Sequence, residues 1–186
     1  PPHLVKATVV ATDIDHDVAI LRATPNPFSG PYVVASLRLA GEKPSIGDGV
    51  EATALRPARA RDPHTFELPI ADSYPAEVLG YRSMSLAPDA RTGSVPAAVS
   101  GPQVLTTLFL FSHEVQRGQS GAPVRNSATH EVVGLVEGRW LHPVAGSLTG
   151  SGTRSAAALT QGAAIPIPYA LALLEKNHIT WSGSQP

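Results

Sequence analysis

Short apolar segments recur along most of the chain and are separated by turns that contain glycine, proline or aspartate. The segments are rich in valine, alanine and leucine, and several alternate between apolar and polar positions, as β-strands do. The predicted strands cover residues 4–12, 17–23, 32–39, 49–55, 66–70, 76–81, 104–111, 122–125, 130–137 and 162–167. This pattern predicts an all-β protein.

One segment has a helical pattern. Residues 168–177 (PYALALLEKN) begin with a proline and continue with alanine, leucine, glutamate and lysine, all of which favour helix. The segments 83–101 and 141–160 have neither pattern and are predicted to be long loops. Short strands followed by one terminal helix favour a β-barrel architecture.

Composition narrows the classes of function. The net charge is −1, which gives no electrostatic case for a nucleic-acid partner or an anionic membrane. No apolar run approaches the roughly 20 residues that a membrane-spanning helix needs. The chain has no cysteine, so it contains no thiolate nucleophile, zinc–thiolate site or disulfide. The compartment stays open between the cytoplasm and the cell envelope, and no cofactor is implied.

The segment 117–124 (RGQSGAPV) is the strongest candidate for chemistry. A serine hydroxyl becomes a nucleophile when a base removes its proton and N–H donors hold the oxyanion. Gly118 allows the backbone to turn inward, so the N–H groups of Gly118 and Ser120 are the expected oxyanion hole. An α/β-hydrolase elbow would need glycine in place of Ala122 and a helix after the turn. A glycine–serine turn without chemistry is the other interpretation, and this motif alone does not decide between them.

Asp17 is the second candidate, because it opens the apolar segment DVAIL. A carboxylate at the start of a buried strand needs a partner, and in a catalytic triad that partner is a histidine ring. The alternative is a turn aspartate that caps the corner between the first two strands. Asp13, Asp15, His16 and Asp17 together could also suggest a site for a hard cation. Strand spacing would place His16 on the opposite face from the aspartates, so a solvated turn is favoured and no metal site is assigned.

Taken in order, these segments resemble the trypsin-like serine proteases of the cysteine-free bacterial HtrA type. The matching segments are ATVVATD at 7–13, DVAIL at 17–21, IGDGV at 46–50, GQSGAP at 118–123, EVVGLV at 131–136 and GAAIP at 162–166. Two positions depart from the family pattern, Gln119 before the serine and Ala122 after it. The resemblance implies two antiparallel six-stranded β-barrels, the first incomplete, with a C-terminal helix. It places one lobe at residues 1–60 and the other at 61–186.

The resemblance also implies roles for individual residues. Ser120 would be the nucleophile of a serine endopeptidase acting on polypeptides through an acyl-enzyme, Asp17 the acid of the triad and Gly118 part of the oxyanion hole. The implied walls of the substrate pocket are Val136, Glu137, Gly138, Gly162, Ala163 and Ala164. Because these walls are small and carry no aspartate at the base, a small or medium aliphatic P1 residue is expected.

The catalytic histidine has no match. None of the seven histidines lies in a TxxH turn some tens of residues before Asp17. The expectation is therefore that the sequence is truncated at its N-terminus and that the histidine lies upstream. The alternative is a catalytically inactive trypsin-fold binding module. Flanking domains and a homo-oligomer are both left open.

Overall fold

The computed structural model describes residues 6–24, 37–56, 70–86, 104–116, 118–142 and 159–181. This part of the chain contains eight strands and one helix. The elements are β1 (Lys6–Asp13), β2 (Val18–Thr24), β3 (Gly49–Arg56), β4 (Ile70–Met84), β5 (Thr106–Phe111), β6 (Pro123–Asn126), β7 (Val132–His142), β8 (Leu159–Pro166) and α1 (Ile167–Lys176).

Six of the strands form a closed barrel in the order β3–β4–β5–β8–β7–β6, in which β6 pairs again with β3. All pairs in the barrel are antiparallel. The remaining strands, β1 and β2, form a separate two-stranded antiparallel sheet. The predicted all-β class with one C-terminal helix is therefore confirmed.

The position of strand β5 in the fold explains why the last four residues of its sequence TTLFLF are all apolar. Phe109 and Phe111 point into the barrel, where they pack with side chains from the other five barrel strands, such as Val50 and Val124. Leu108 and Leu110 point outward, and they are also buried. Because both faces of the strand are covered, the usual alternation of apolar and polar residues is lost.

The β1–β2 hairpin and helix α1 cover the outer face of β5. Val18, the first residue of β2, is 5% exposed and belongs to one buried cluster with Leu108, Leu110, Ala163 and Leu173 of the helix. This second apolar layer holds the hairpin against the barrel wall, since burial of such side chains contributes about 1.5–3 kcal/mol each.

Two sequence-based boundaries need correction. Strand β4 (Ile70–Met84) includes the predicted segment 76–81 and begins at the last residue of the predicted segment 66–70, whose other residues lie outside the described part of the chain; β4 is irregular between Val78 and Gly80. β7 and β8 extend into the predicted loop 141–160. Strand β3 pairs with both β4 and β6, so these three strands belong to one barrel, and the division into lobes at 1–60 and 61–186 stays a prediction. An alternating segment predicts a strand but not the partner with which it pairs.

Helix α1 follows β8 directly, with Pro168 in its first turn, where a missing N–H costs no hydrogen bond. Its buried side chains include Leu171 and Leu173, and Asn177 closes its end by donating from Nδ2 to the carbonyl of Leu173 at 2.8 Å. Among the described residues, no helix has the length and apolar character required to cross a bilayer.

Candidate active site

Ser120 lies at the exposed tip of a turn between β5 and β6. The glycines on either side of it have left-handed backbone conformations, with φ of +91° at Gly118 and +82° at Gly121. Only glycine adopts such angles without strain. The turn is closed by the N–H of Ala122, which donates to the carbonyl of Gln119 at 3.0 Å. The glycines of the motif are therefore needed for the backbone path that presents the serine.

The serine turn is bound to strand β7 by three hydrogen bonds. Gly121 N–H donates to the carbonyl of Val136 at 2.7 Å, and Val136 N–H donates to the carbonyl of Ala122 at 2.9 Å. The Ser120 hydroxyl donates to the carbonyl of Glu137 at 3.0 Å. The pairing of β7 with β8 shifts between Val136 and Gly138, so Glu137 occupies a bulge beside the serine. The structure thus brings Ser120 together with two of the predicted pocket residues.

The N–H groups of Gly118 and Ser120 differ from that of Gly121, which donates to strand β7. Within the part of the chain that the structure describes, the N–H groups of Gly118 and Ser120 donate no hydrogen bond. Both groups belong to the exposed turn. They are the donors that the sequence pattern assigns to an oxyanion hole.

The other predicted pocket residues lie on neighbouring positions of β7 and β8. Gly138 pairs with Ala163, and Val136 pairs with Ala164. A side chain at Gly138 would meet nothing within 4 Å, so the space beside it is open. Ala163 and Ala164 are 1% and 0% exposed and pack in the outer cluster and the barrel interior, respectively.

Asp17 is exposed and ends the turn that joins β1 to β2. Its backbone is left-handed, with φ of +55°, a conformation that aspartate tolerates better than most residues. A cavity of about 300 Å³ opens beside it. Its lining consists of Thr12, Asp13, Ile14, Asp17, Val18, Ala19 and Leu86. Asp17 lies on the hairpin and Ser120 on the barrel. Val18, which follows Asp17, packs in the same buried cluster as Ala163 of β8. Ala163 in turn pairs with Gly138 of β7.

His16 is held by its own hairpin and by the helix. Its Nδ1 lies 2.7 Å from Oδ2 of Asp13, and its backbone N–H donates to Oδ1 of Asp13 at 3.2 Å. Its ring stacks on Tyr169 of α1, with ring centroids 4.0 Å apart. Burial alone would raise the pKa of Asp13, but the hydrogen bonds and charge of His16 outweigh it and leave that pKa below its ordinary value of 3.8.

No group of three potential metal ligands occurs among the described histidine, aspartate and glutamate residues.

The remaining described histidines have other surroundings. His113, in the loop after β5, stacks on Tyr74 with ring centroids 4.4 Å apart. Burial lowers its pKa from the ordinary value of 6.5, and the charge of Glu114 opposes this only in part. His130 is exposed in the β6–β7 turn, His142 is the last residue of β7, and His178 follows the helix. His3 and His64 lie outside the described residues.

Comparison with known proteins gives a likeness in structure alone. No family model matches the sequence, and no curated protein matches it. The Rv3671c protease of M. tuberculosis in its inactive form is similar, with a TM-score of 0.55 and 22% identity over 92% of this chain and 66% of that one. Its active form gives a TM-score of 0.55 and 21% identity over 96% of this chain and 61% of that one. The fold is trypsin-like. The chain thus spans slightly less than two thirds of the length of these structures.

Within this trypsin-like fold, the contacts around the Asp17 turn could not be predicted from the sequence. Thr106, 0% exposed, donates from Oγ1 to the carbonyl of Asp15 at 2.7 Å. The two partners are separated by 91 residues along the chain. No local pattern marks Thr106 or Tyr169 as a neighbour of the candidate acid.

Proposed function

We propose that this chain is the larger part of a serine endopeptidase domain with Ser120 as its nucleophile. The observation that carries the proposal is an exposed serine between two left-handed glycines, on a turn bound to the adjacent strand β7. The trypsin-like fold supports the same class of reaction. Backbone geometry of this kind orients a hydroxyl and the neighbouring N–H groups toward one point outside the protein.

In the proposed reaction, Oγ of Ser120 attacks the carbonyl carbon of a peptide bond while a histidine accepts its proton. The N–H groups of Gly118 and Ser120 stabilise the oxyanion. The C–N bond then breaks, the amine leaves with the proton from the histidine, and water hydrolyses the acyl-enzyme. In the structure the hydroxyl donates to the carbonyl of Glu137, so Oγ must rotate away from this carbonyl before a base can accept its proton.

We further propose that Asp17 orients a histidine contributed by a segment that precedes this sequence, as in proteases of the HtrA type. The cavity of about 300 Å³ beside Asp17 supports this role. One water takes about 30 Å³ of liquid, so the cavity has room for a side-chain ring. The hairpin is consistent with additional strands, because two-stranded sheets are marginal alone and its Val9 and Leu21 are 63% and 60% exposed.

The proposed substrate is a polypeptide that binds along β7. Val136, Glu137 and Gly138 would line the pocket on one side. The backbone of Ala163 and Ala164, whose side chains pack in the outer cluster and the barrel interior, would form the wall of the neighbouring strand. A small or medium aliphatic P1 residue is expected. Cleavage of a peptide library is the test of this part, and a strong preference for lysine or arginine at P1 would contradict it.

Labelling with a fluorophosphonate tests the proposed nucleophile. Oγ displaces fluoride from phosphorus, so the reagent reports an activated serine without a specific substrate. The chain alone, with imidazole added to supply the missing base, and the chain extended upstream are both assayed. We expect slow, imidazole-dependent labelling of the first and faster labelling of the second. Ser120→Ala should abolish labelling, whereas Ser127→Ala, at an exposed serine in the β6–β7 turn, should not.

Asp17→Asn provides the second arm of this experiment. If the carboxylate orients the base, the fluorophosphonate labels Ser120 about 10⁴-fold more slowly in this variant of the extended protein. Peptide binding without labelling, in both forms of the protein, would contradict the enzyme and identify a binding module instead.

A further inference from the structure

The turn between β1 and β2 is fixed to the barrel at its middle. Oγ1 of Thr106 donates to the carbonyl of Asp15 at 2.7 Å, and Thr106 is 0% exposed. A hydroxyl buried to this extent needs an acceptor, because a buried hydroxyl without a hydrogen bond destabilises the folded protein. The hairpin therefore supplies a hydrogen bond that β5 requires, which fixes the distance between the turn and the barrel.

His16 connects the same turn to the helix. One edge of its ring, Nδ1, is bonded to the Asp13 carboxylate at 2.7 Å, and its face stacks on Tyr169 at a centroid distance of 4.0 Å and an angle of 21°. The Tyr169 hydroxyl in turn accepts a hydrogen bond from Thr107 N–H at 3.2 Å. The imidazole thus lies between a carboxylate of the hairpin and an aromatic ring whose own position is set by β5.

Asp17 follows His16 directly and precedes Val18, which is 5% exposed in the cluster beneath the hairpin. Asp17 therefore lies between one residue held by a ring contact and one held by burial. Its left-handed backbone, with φ of +55°, costs free energy that the surrounding contacts must offset. The contacts of its two neighbours restrict the direction of its backbone.

We propose that His16 is a positioning residue for Asp17, and that it acts through its contacts with Asp13 and Tyr169. This inference deepens the proposed function, because the direction of the Asp17 carboxylate has chemical consequences only if Asp17 orients a catalytic base. His16 is not itself the base. Its ring is oriented by Asp13 and covered on one face by Tyr169.

The two contacts of His16 can be separated by substitution. His16→Asn retains a side-chain N–H donor for Asp13 and removes the ring. His16→Phe retains the ring for Tyr169 and removes the donor. His16→Ala removes both. His130→Ala is the control for loss of an imidazole outside the hairpin, because His130 is exposed in the β6–β7 turn of the barrel.

Two measurements on the chain decide the inference without any assay of activity. Residual dipolar couplings of the Asp17 N–H report its orientation relative to the barrel, and amide hydrogen exchange reports opening of residues 18–20. We expect His16→Ala to change the Asp17 couplings and to accelerate exchange at 18–20 by about tenfold, with exchange in β5 and β6 unchanged. His16→Asn and His16→Phe should each restore part of both effects, and His130→Ala should change neither.

Three outcomes would overturn the inference. The Asp17 couplings could be the same in His16→Ala as in the unaltered protein. Exchange could accelerate equally in the hairpin and in the barrel, which would show a general loss of stability. In the third outcome, neither His16→Asn nor His16→Phe restores any part of the change in the Asp17 couplings. Fluorophosphonate labelling of the same variants is read separately, since absence of labelling in the unaltered protein contradicts the proposed function and leaves these results intact.

Discussion

Replacement of Gly118 by alanine separates the conformational role of this glycine from any steric one. A methyl group at Gly118 would meet no atom of the other described residues within 4 Å, so the substitution creates no clash with them. Its effect comes from φ of +91°, an angle that alanine adopts only at a cost of about 1–2 kcal/mol. Alanine also reduces the entropy of the unfolded chain, which returns about 0.4–1 kcal/mol. The expected net loss of stability is about 1 kcal/mol.

Gly41 offers a matched control for this prediction. A methyl group there would also meet nothing within 4 Å, and its φ lies outside the left-handed range. Gly41→Ala should therefore leave the free energy of unfolding unchanged or raise it by about 0.4–1 kcal/mol. Gly118→Asn should lie between the two alanine variants, because asparagine tolerates positive φ better than alanine does. Urea denaturation monitored by tryptophan fluorescence measures all three.

Gly118→Ala should also affect the proposed reaction. If alanine relieves its strain by a rotation of the 118–119 segment, the N–H of Gly118 turns away from the oxyanion. Loss of one such donor costs about 10²–10³ in rate, so labelling of Ser120 should fall by that factor in Gly118→Ala and not in Gly41→Ala. Equal free energies of unfolding for the two alanine variants would refute the conformational argument, and unchanged labelling would refute the assignment of the donor.

Two further predictions concern packing and pH. Gly162→Ala places a methyl group against the ring of Phe111 and should lower the free energy of unfolding in urea by about 1–3 kcal/mol. Gly138→Ala places its methyl group in open space and should lower it far less. Equal losses in the two variants would contradict this account of the packing. The folded-state pKa of Asp13 is depressed, so its bond to His16 contributes stability at neutral pH that is lost as the pH falls below about 4. The difference in melting temperature between the unaltered protein and Asp13→Asn should therefore shrink in acid, and a constant difference would exclude this coupling.

The sequence predicted most of the strands because alternation is a local property. It was less successful with β4, in which Pro75 lies in the middle of the strand. Proline is normally confined to edges because it lacks an N–H. The register explains the exception: β5 pairs with β4 only from Val78 to Met84, so among the described residues Pro75 has a neighbour on the β3 side alone. The position of a strand relative to its partners decides this, and a single sequence does not contain that information.

The conformation around the candidate nucleophile could be predicted from its local sequence, whereas the conformation around the candidate acid could not. The serine turn is determined by Gly118, Gly121 and a strand that follows within about twenty residues, and the motif alone indicated its conformation. The conformation of Asp17 depends on partners contributed by β5 and α1, which are far away in sequence. Substitutions near Ser120 should therefore have effects that can be anticipated from its motif. Substitutions at Thr106 or Tyr169 should change the direction of Asp17 although neither residue belongs to any recognisable catalytic pattern.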